Sequence, residues 1–304
     1  MNAKVTVSTF QLFQMIPDAD SARVYLEGRL WPKGAVCPFC FKVERITVRK
    51  GGYYRCNLCS EDFTVRTGTI FERSHVPLHK WVYAMYLLLT SRKGISSLQL
   101  SKEIGITQKS AWFLLQRLRE ACGNDLESLR GIVEVDETYI GGKEKNKHFD
   151  KKLKAGRGPV GKVAVFGMRE RDGKTVALPL EVVDGPTVQA EMAATIEPGS
   201  KVFTDDARVY EGLKGFKHKS VNHSAKEYVR GQVHTNGIES VWSVLKRGVT
   251  GVYHHTSAKH LGRYVNEFTF RLNDGACEIP TMDRISSLVK GSKGKRITYA
   301  DLIA

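Results

Sequence analysis

The sequence lacks any run of about 18 apolar residues, so we expect no membrane-spanning segment. The apolar stretch 82–90 is too short and is flanked by Lys80 and Arg92. The first twenty residues lack the charged start, apolar centre and small-residue cleavage site of a signal peptide. We therefore expect a cytosolic protein with no membrane partner, whose cysteines stay reduced.

Acidic residues are scarce relative to basic ones, with 32 Asp and Glu against 47 Lys and Arg. The formal net charge of +15 predicts a polyanionic partner, most often nucleic acid. The alternative, a basic surface kept for solubility, does not need so large an excess. An apolar content of 41% is enough for packed cores, and 304 residues fit two or three domains.

Internal repeats are absent, and so is a dinucleotide-binding fingerprint. The glycines of segment 141–162 do not form one, because no strand-turn-helix context surrounds them. This segment holds eight Lys and Arg against two acids, which predicts a mobile basic loop.

Four of the six cysteines form two C-x2-C pairs, CPFC at 37–40 and CNLC at 56–59. Each pair turns the backbone so that two thiolates face one ion, and two pairs complete a tetrahedron. Their separation, with a hairpin predicted at Gly51-Gly52, is typical of a zinc ribbon. A redox pair or unpaired core cysteines would not explain two matched pairs. We predict structural Zn²⁺ bound by Cys37, Cys40, Cys56 and Cys59.

Residues 77–123 have helical patterns, and two of the predicted helices meet at Gly105 with little linker. This arrangement is typical of a helix-turn-helix whose second helix reads a DNA groove. The alternative is a plain helical hairpin between two domains. The second helix is predicted to begin after Thr107, a good N-cap. Four of its side chains are predicted to contact DNA: Gln108, Lys109, Ser110 and Arg117.

From about Gly131 the pattern changes to strands that alternate with helices. Apolar and acidic residues alternate along 133–136 in the first strand, and Asp172-Gly173 predicts a hairpin between the next two. The order is three strands in a meander, a helix, a strand, a helix or loop, a strand and a final helix. We predict an α/β fold around one mixed sheet.

Three acids occupy positions that a sheet-based catalytic site would use. Asp136 lies in the first strand, Asp205 ends a later strand and Glu239 lies in the final helix. If those strands are neighbours and the helix packs across the sheet edge, the carboxylates converge, and bound divalent cations would offset their repulsion. Asn236 and Lys246 fall near the helix face of Glu239. The alternative is an amphipathic surface helix with solvated charges.

The blocks VEVDETYIGG, VFTDDARVY and HTNGIESVWSVLKR resemble the three catalytic blocks of DDE-type insertion-sequence transposases. The chain is most similar to the bacterial IS-fifteen-ninety-five group, with its ISXO-two-like transposase domain. This resemblance extends from LWPKGAVCPFC to VNEFTFRLN and implies an RNase H-like core, a mixed sheet with flanking helices. The segments expected are a helical lead-in (1–33), a zinc ribbon (34–70), a helix-turn-helix (77–123), the catalytic domain (129–273) and a C-terminal tail (274–304).

The resemblance also implies an activity. The protein would bind the terminal inverted repeats of its element, cleave the ends with Mg²⁺ or Mn²⁺, and join 3′-hydroxyls to target DNA. It would work on double-stranded DNA as a homodimer or larger assembly, and it would associate with the nucleoid when bound. A non-catalytic DNA-binding regulator and a metal-dependent nuclease without strand transfer are the alternatives.

On the same grounds, Asp136 and Asp205 are expected to be metal ligands. The third ligand of this group is described as Asn or Glu followed by a Lys, and both Asn236 and Glu239 fit. We favour Glu239 because a carboxylate is the better Mg²⁺ ligand, and we keep Asn236 as a candidate that shares the site. Two basic residues later in the helix are expected to hold DNA phosphates: Lys246 and Arg247.

Overall fold

The computed structural model describes residues 6–123, 128–142, 144–146, 148–153, 159–222 and 229–304. The chain divides into two compact units. One contains Met1–Asn124 together with Asp274–Ala304, and the other contains Asp125–Asn273. The basic loop predicted at 141–162 lies partly outside the described residues.

Helices and strands are named here in chain order. The helices of the described residues are α1 (Thr9–Met15), α2 (Ala19–Leu30), α3 (Leu78–Thr90), α4 (Ser97–Ile104), α5 (Gln108–Cys122), α6 (Gly185–Thr195), α7 (Asn236–Gly248), α8 (Ala258–Leu272), α9 (Thr281–Lys290) and α10 (Tyr299–Ile303). The strands are β1 (Ile46–Arg49), β2 (Tyr53–Cys56), β3 (Glu61–Phe63), β4 (Ile132–Ile140), β5 (Val163–Glu170), β6 (Thr175–Leu180), β7 (Lys201–Thr204) and β8 (Lys217–Ser220).

The strands of the first unit form a small antiparallel sheet in the order β1-β2-β3. The predicted hairpin is confirmed, because β1 pairs with β2 around Gly51 and Gly52, which have φ of 72° and 77°. Glycine reaches this left-handed region without the clash that a Cβ would cause. Trp31, Tyr54 and Phe63 pack their rings together, with centroids 5.2 to 5.8 Å apart. The ribbon therefore has only a small aromatic core.

Helices α4 and α5 begin at residues whose side chains cap them. The Ser96 side chain accepts a hydrogen bond from the backbone of Gln99, and Thr107 accepts one from the backbone of Ser110. Gly105 between the helices has φ of 60°, the left-handed conformation common after a helix end. Each cap satisfies a backbone N–H that the helix leaves unpaired.

The C-terminal segment, whose sequence predicts little, forms α9 and α10 and belongs to the first unit. Arg284 of α9 is 4% exposed and donates to the carbonyl of Leu89 in α3 over 3.1 Å. Lys295 donates to the carbonyl of Glu120 in α5 over 3.0 Å. These contacts join segments that are far apart in the chain, so local sequence patterns do not reveal them.

The sheet of the second unit has the order β6-β5-β4-β7-β8. Strands β4, β5 and β6 form an antiparallel meander, whereas β7 runs parallel to β4 and β8 runs parallel to β7. The chain turns between β5 and β6 at Asp172 and Gly173, and Asp172 has φ of 62°. The prediction of an α/β fold with a mixed sheet is confirmed. Within the described residues, no helix is long and apolar enough to cross a membrane.

The two faces of this sheet have separate apolar cores. Val133 and Val135 of β4 contribute to one, together with Val188 and Met192 of α6. Residues of α7 and α8 form the other. Because side chains alternate along a strand, Asp136 lies on the face covered by α7.

Candidate active site and cysteine cluster

The cysteines of the two C-x2-C pairs meet in one cluster. Their Sγ atoms all lie within 4.8 Å of one another, with Cys37 3.5 Å from Cys59 and Cys40 3.6 Å from Cys56. Four sulfurs bound about 2.3 Å from one ion would stand about 3.8 Å apart, so the cluster has nearly the size of a tetrahedral zinc site. None of these four cysteines forms a disulfide bond.

The surroundings act on the thiols in opposite ways. The backbone N–H of Cys59 lowers the pKa of Cys56 to about 7, whereas burial raises the pKa of Cys59 to about 12. A bound zinc ion would stabilise the thiolate at every position. The cluster therefore supports a structural zinc site.

Asp136 and Asp205 come from neighbouring strands. Strands β4 and β7 pair in parallel, with Glu134 opposite Phe203. The same register, continued by two residues, brings Asp205 beside Asp136. Asp205 directly follows the last residue of β7. The parallel pairing thus provides two of the three predicted carboxylates at one point of the sheet.

Asp136 is held by Trp242 of α7, whose Nε1 donates to Oδ2 over 3.0 Å. The indole ring occupies space above Gly167, which lies opposite Asp136 on β5. A Cβ at Gly167 would lie 2.3 Å from the ring. Burial is the main cause that raises the pKa of Asp136 to about 6, and the negative charges of Asp205 and Glu239 contribute in the same direction. Repulsion between carboxylates therefore connects all three acids.

Asp205 is held by its own turn. Its Oδ1 accepts a hydrogen bond from the backbone of Ala207 over 3.0 Å, and its carbonyl accepts one from the Thr204 hydroxyl over 2.6 Å. The Thr204 hydroxyl also lies 2.9 Å from Nε2 of His218 on β8. Asp206, the next residue, is exposed. The backbone is thus fixed where β7 ends, and Asp205 is the partly buried acid of the pair.

Glu239 lies in the first turn of α7, where its Oε1 accepts a hydrogen bond from the Thr235 hydroxyl over 2.8 Å. Asn236, Lys246 and Arg247 lie on the same helix and are exposed, as Glu239 is. The side of α7 toward the sheet is apolar and buries Ile238, Val241, Trp242 and Leu245. The predicted polar residues therefore lie on the solvent side of a helix that is attached to β4.

The carboxylates are less tightly grouped than the cysteines. Among the described residues, only the four cysteines form a group of three or more metal-binding side chains with all ligand atoms within 4.8 Å. The acids are nevertheless hard oxygen donors from three elements, and two of them raise the pKa of the third. A divalent cation between them would relieve that repulsion. The donor set fits Mg²⁺ or Mn²⁺ by its chemistry.

Two further acids lie beside this site without a role assigned from the sequence. Glu134, two residues before Asp136 on the same face of β4, is 2% exposed and pairs with Arg171 at 2.7 Å. The alternation of the strand could have indicated it, because residues i and i+2 share a face. Glu137 has a pKa raised to about 7, by burial first and then by the charges of Asp136 and Asp205.

The predicted DNA-binding residues separate into two groups. Gln108, Lys109 and Ser110 are exposed at the start of α5. The Nζ atom of Lys109 lies 4.6 Å from the centre of the Tyr299 ring, on α10. Lys246 and Arg247 are exposed near the end of α7. All five are accessible from solvent.

The prediction that Arg117 contacts DNA needs correction. This residue is 5% exposed, and its guanidinium donates to the carbonyl of Ile297 over 3.3 and 3.2 Å. It also lies over the ring of Phe113, 4.4 Å from its centre. Burial lowers its pKa. The returning C-terminal segment covers this part of α5, so we assign Arg117 a packing role.

Comparison with known proteins gave two matches to protein-family models. Residues 128–273 match the ISXO2-like transposase domain, and residues 17–62 match the transposase zinc-ribbon domain. The chain is 31% identical over 258 residues to a Halobacterium salinarum protein described as an uncharacterized protein in transposable element ISH50. That alignment covers 79% of this chain and 86% of the relative. The relative is archaeal, so the similarity extends beyond bacteria.

Among solved structures, the simian T-cell lymphotropic virus intasome in complex with PP2A regulatory subunit B56 gamma matches with a TM-score of 0.28 and 13% identity. The match covers 64% of this chain and 65% of that chain, slightly less than two thirds of its length. A score this low carries no argument about fold or function.

Proposed function

Because the chain belongs to the transposase family with the ISXO2-like domain and its zinc ribbon, we propose that it is the DNA transposase of an insertion sequence. It binds the terminal inverted repeats, cleaves the ends in a Mg²⁺-dependent reaction and transfers them to target DNA. The observation that carries this proposal is the pairing of β4 with β7. The pairing brings Asp205 beside Asp136. Trp242 binds Asp136 and so attaches α7, the helix that carries Glu239, to β4.

The architecture supports the assignment of parts. A mixed five-stranded sheet with helices on both faces supports an RNase H-like core in the second unit. Two capped helices joined at a left-handed glycine support a helix-turn-helix formed by α4 and α5. The segment boundaries we propose are those expected from the sequence, with α9 and α10 added to the DNA-binding unit.

Asp136, Asp205 and Glu239 would hold the divalent cations, and Asn236 lies one helical turn before Glu239 as a further oxygen donor. The cations would make a water or a 3′-hydroxyl nucleophilic and stabilise the oxygen that leaves the phosphodiester. Trp242 keeps the carboxylate of Asp136 in one orientation through its hydrogen bond to Oδ2.

DNA would contact both units. Lys246 and Arg247, two exposed cations on the helix that carries Glu239, would bind phosphates beside the reacting bond. Gln108, Lys109 and Ser110 would meet the terminal repeat with the start of α5, where backbone N–H groups also favour phosphate. The net charge of +15 supports strong, salt-sensitive binding. We propose a dimer or larger assembly on paired ends.

The test is cleavage and joining of a labelled DNA end from the element that encodes this chain. Wild type is compared with Asp205→Ala and Glu239→Ala, and Asp206→Ala serves as the matched exposed control. We expect the first two variants to bind the end without cutting it and the control to cut and join as wild type does.

The alternatives give different products. A nuclease would cut the labelled end but never produce strand-transfer products. A regulator would bind the end and leave it intact with any divalent ion. Either result would overturn the transposase proposal.

A further inference from the structure

Glu134 is a buried carboxylate to which the proposed chemistry gives no role. It is 2% exposed and lies on the face of β4 that α7 covers. A buried carboxylate is unfavourable unless hydrogen bonds and an opposite charge compensate it. The partners of its two oxygens therefore indicate what the residue does.

The first oxygen is bound by Arg171. Oε1 of Glu134 accepts from Nε and Nη2 of Arg171 over 3.1 and 2.7 Å. The same guanidinium donates from Nη1 to the carbonyl of Gln232 over 3.0 Å, and its Nη2 lies 3.3 Å from Nδ1 of His234. Gln232 and His234 belong to the segment that leads into α7. Arg171 thus links Glu134 to the segment that precedes α7.

The second oxygen caps the helix itself. Oε2 of Glu134 accepts from the backbone N–H of Ile238, in the first turn of α7, over 3.1 Å. The N–H groups of a first turn have no partner inside the helix, and the N-cap residue Thr235 makes no side-chain capping bond. A carboxylate here also interacts favourably with the helix dipole. A Cβ at Gly237 would lie 2.5 Å from Oε2, so glycine permits this close approach.

Two contacts of this kind attach α7 to β4. Glu134 contacts Ile238, and Asp136 contacts Trp242. Two residues along a strand advance about 6.6 Å, and four residues along a helix advance about 6 Å. Because these spacings nearly match, both contacts form together, and they fix both the height and the rotation of α7. Glu239 directly follows Ile238, so its position is fixed as well.

We propose that Glu134 is a positioning residue of the divalent-cation site. Bound by Arg171, it caps α7 from β4 and fixes the position of Glu239 relative to Asp136 and Asp205. This inference rests on the proposed function, because it assumes that the three acids bind a cation.

The test uses the full chain and the substitution Glu134→Gln. An amide has one acceptor, but Arg171 and the backbone of Ile238 both donate, so one donor always meets the amide NH₂. We expect the Mn²⁺ concentration for half-saturation, measured from the electron paramagnetic resonance signal of free Mn²⁺, to rise about 10- to 100-fold. Hydrogen exchange should also quicken in the first turn of α7. Glu181→Gln, an exposed acid of the same unit, is the matched control.

A second substitution separates positioning from stability. In Glu134→Gln with Arg171→Gln, the side chain at 171 accepts from the amide at 134, whose oxygen is then available to Ile238. We expect the double variant to recover part of the Mn²⁺ affinity, because Arg171→Gln restores the acceptor for Ile238 but also removes the bond to the carbonyl of Gln232. Gly237→Ala displaces Glu134 from the other side and should weaken Mn²⁺ binding even if Glu134→Gln does not fold.

The outcomes distinguish this inference from the proposed function. Wild-type Mn²⁺ affinity in Glu134→Gln or in Gly237→Ala would overturn the positioning role and leave the proposed function intact. A wild-type chain that binds no Mn²⁺ would overturn both. Weak binding in Glu134→Gln without recovery in the double variant would also contradict it, because the capping bond would then not be the cause.

Discussion

The cysteine cluster and the acidic site are two metal-binding candidates in one chain, and they are built in opposite ways. The cysteines lie within residues 37–59, on two short turns, and their sulfurs converge within 4.8 Å. The acids are spread over residues 136–239, on a strand, just after a second strand and on a helix, and do not form so tight a group. The cysteine site is thus formed by residues close together in the sequence. The acidic site brings together distant elements, so it depends on strand pairing and on the contacts that attach the helix.

The two sites also differ in what a metal does for the fold. The ribbon has a small core, so zinc would supply much of its folding free energy. The acidic site has full apolar cores on both faces of its sheet, and its carboxylates repel one another. Loss of zinc should therefore unfold the ribbon. Loss of the divalent cations should abolish activity at the acidic site without unfolding its sheet.

Loss of zinc is the largest effect we expect. Cys56→Ser removes a buried ligand, and structural zinc contributes about 10–16 kcal/mol of binding free energy in zinc-finger peptides. The variant should lose bound zinc and the hydrogen-exchange protection of β1–β3, while β4–β8 stay protected. Zinc analysis and segment-resolved exchange measure both, with the exposed Cys277→Ser as control. If β1–β3 stay protected without zinc, the ribbon does not need its metal to fold, and this difference between the two sites is wrong.

The second effect is on activity without loss of the fold. Asp136→Asn should lower cleavage by more than the roughly 10- to 100-fold typical of a supporting residue, because it removes a proposed metal ligand. The free energy of unfolding should not fall, since the amide still accepts from Trp242 and carries no buried charge. Asp206→Asn, beside Asp205 but exposed, should cut DNA normally. An unfolded Asp136→Asn would mean that this carboxylate maintains the fold, as the cysteines do.

Local sequence signals were sufficient to predict most features of the first unit. The C-x2-C spacing, the Gly51-Gly52 turn and the cap at Thr107 each depend on residues a few positions apart, and all appear in the structure. Arg117 shows the limit of such signals. Its place on α5 is local, but its burial comes from a segment about 180 residues later in the chain, which no periodicity of α5 encodes.

The acidic site could be predicted only in outline. The strands and the final helix follow from alternation and apolar spacing, but the parallel pairing of β4 with β7 is a long-range choice that the patterns do not specify. Alternation along β4 places Glu134 on the same face as Asp136, but its role, like that of Gly167, could not be predicted for the same reason. Their importance depends on what lies opposite them, Ile238 in one case and Trp242 in the other.

The third effect is a dependence of the free energy of unfolding of the second unit on pH. Asp136 and Glu137 have pKa values raised to about 6 and about 7 in the folded chain, above their ordinary values of 3.8 and 4.5. The folded state thus keeps protons that the unfolded state has released, so stability is lost as pH rises from about 4 to 7. The loss should amount to a few kcal/mol, at about 1.4 kcal/mol per pKa unit.

Urea unfolding between pH 4 and pH 8 measures this loss, with and without Mn²⁺. Mn²⁺ should flatten the profile, because it stabilises the ionised carboxylates, and Asp136→Asn should make the profile shallower without metal. A stability that rises across this window in wild type, relative to Asp136→Asn, would contradict the assigned direction of the pKa shift.

The fourth effect is smaller and tests the attachment of α7. Trp242→Phe removes the donor to Asp136 and leaves space beside Gly167, so it should lower the free energy of unfolding by more than the roughly 1 kcal/mol of the lost hydrogen bond. Cleavage should fall about 10-fold, as for other residues that support a ligand. Because this bond lowers the pKa of Asp136, its loss should raise that pKa further, which carboxyl NMR titration measures. Trp112→Phe, in the first unit, should leave the titration unchanged.

The smallest effect decides which side chain of α7 is the third ligand. Glu239 raises the pKa of Asp136 and is held by Thr235, whereas Asn236 is exposed one turn earlier. If Glu239 is the ligand, Asn236→Ala should change half-saturation by Mn²⁺ only a few-fold, within the scale of one net hydrogen bond, and Glu239→Gln should weaken it far more. The reverse order would give the ligand role to Asn236. The acidic site would then hold its metals with two carboxylates and a neutral amide, and the contrast in charge with the four thiolates of the ribbon would be greater still.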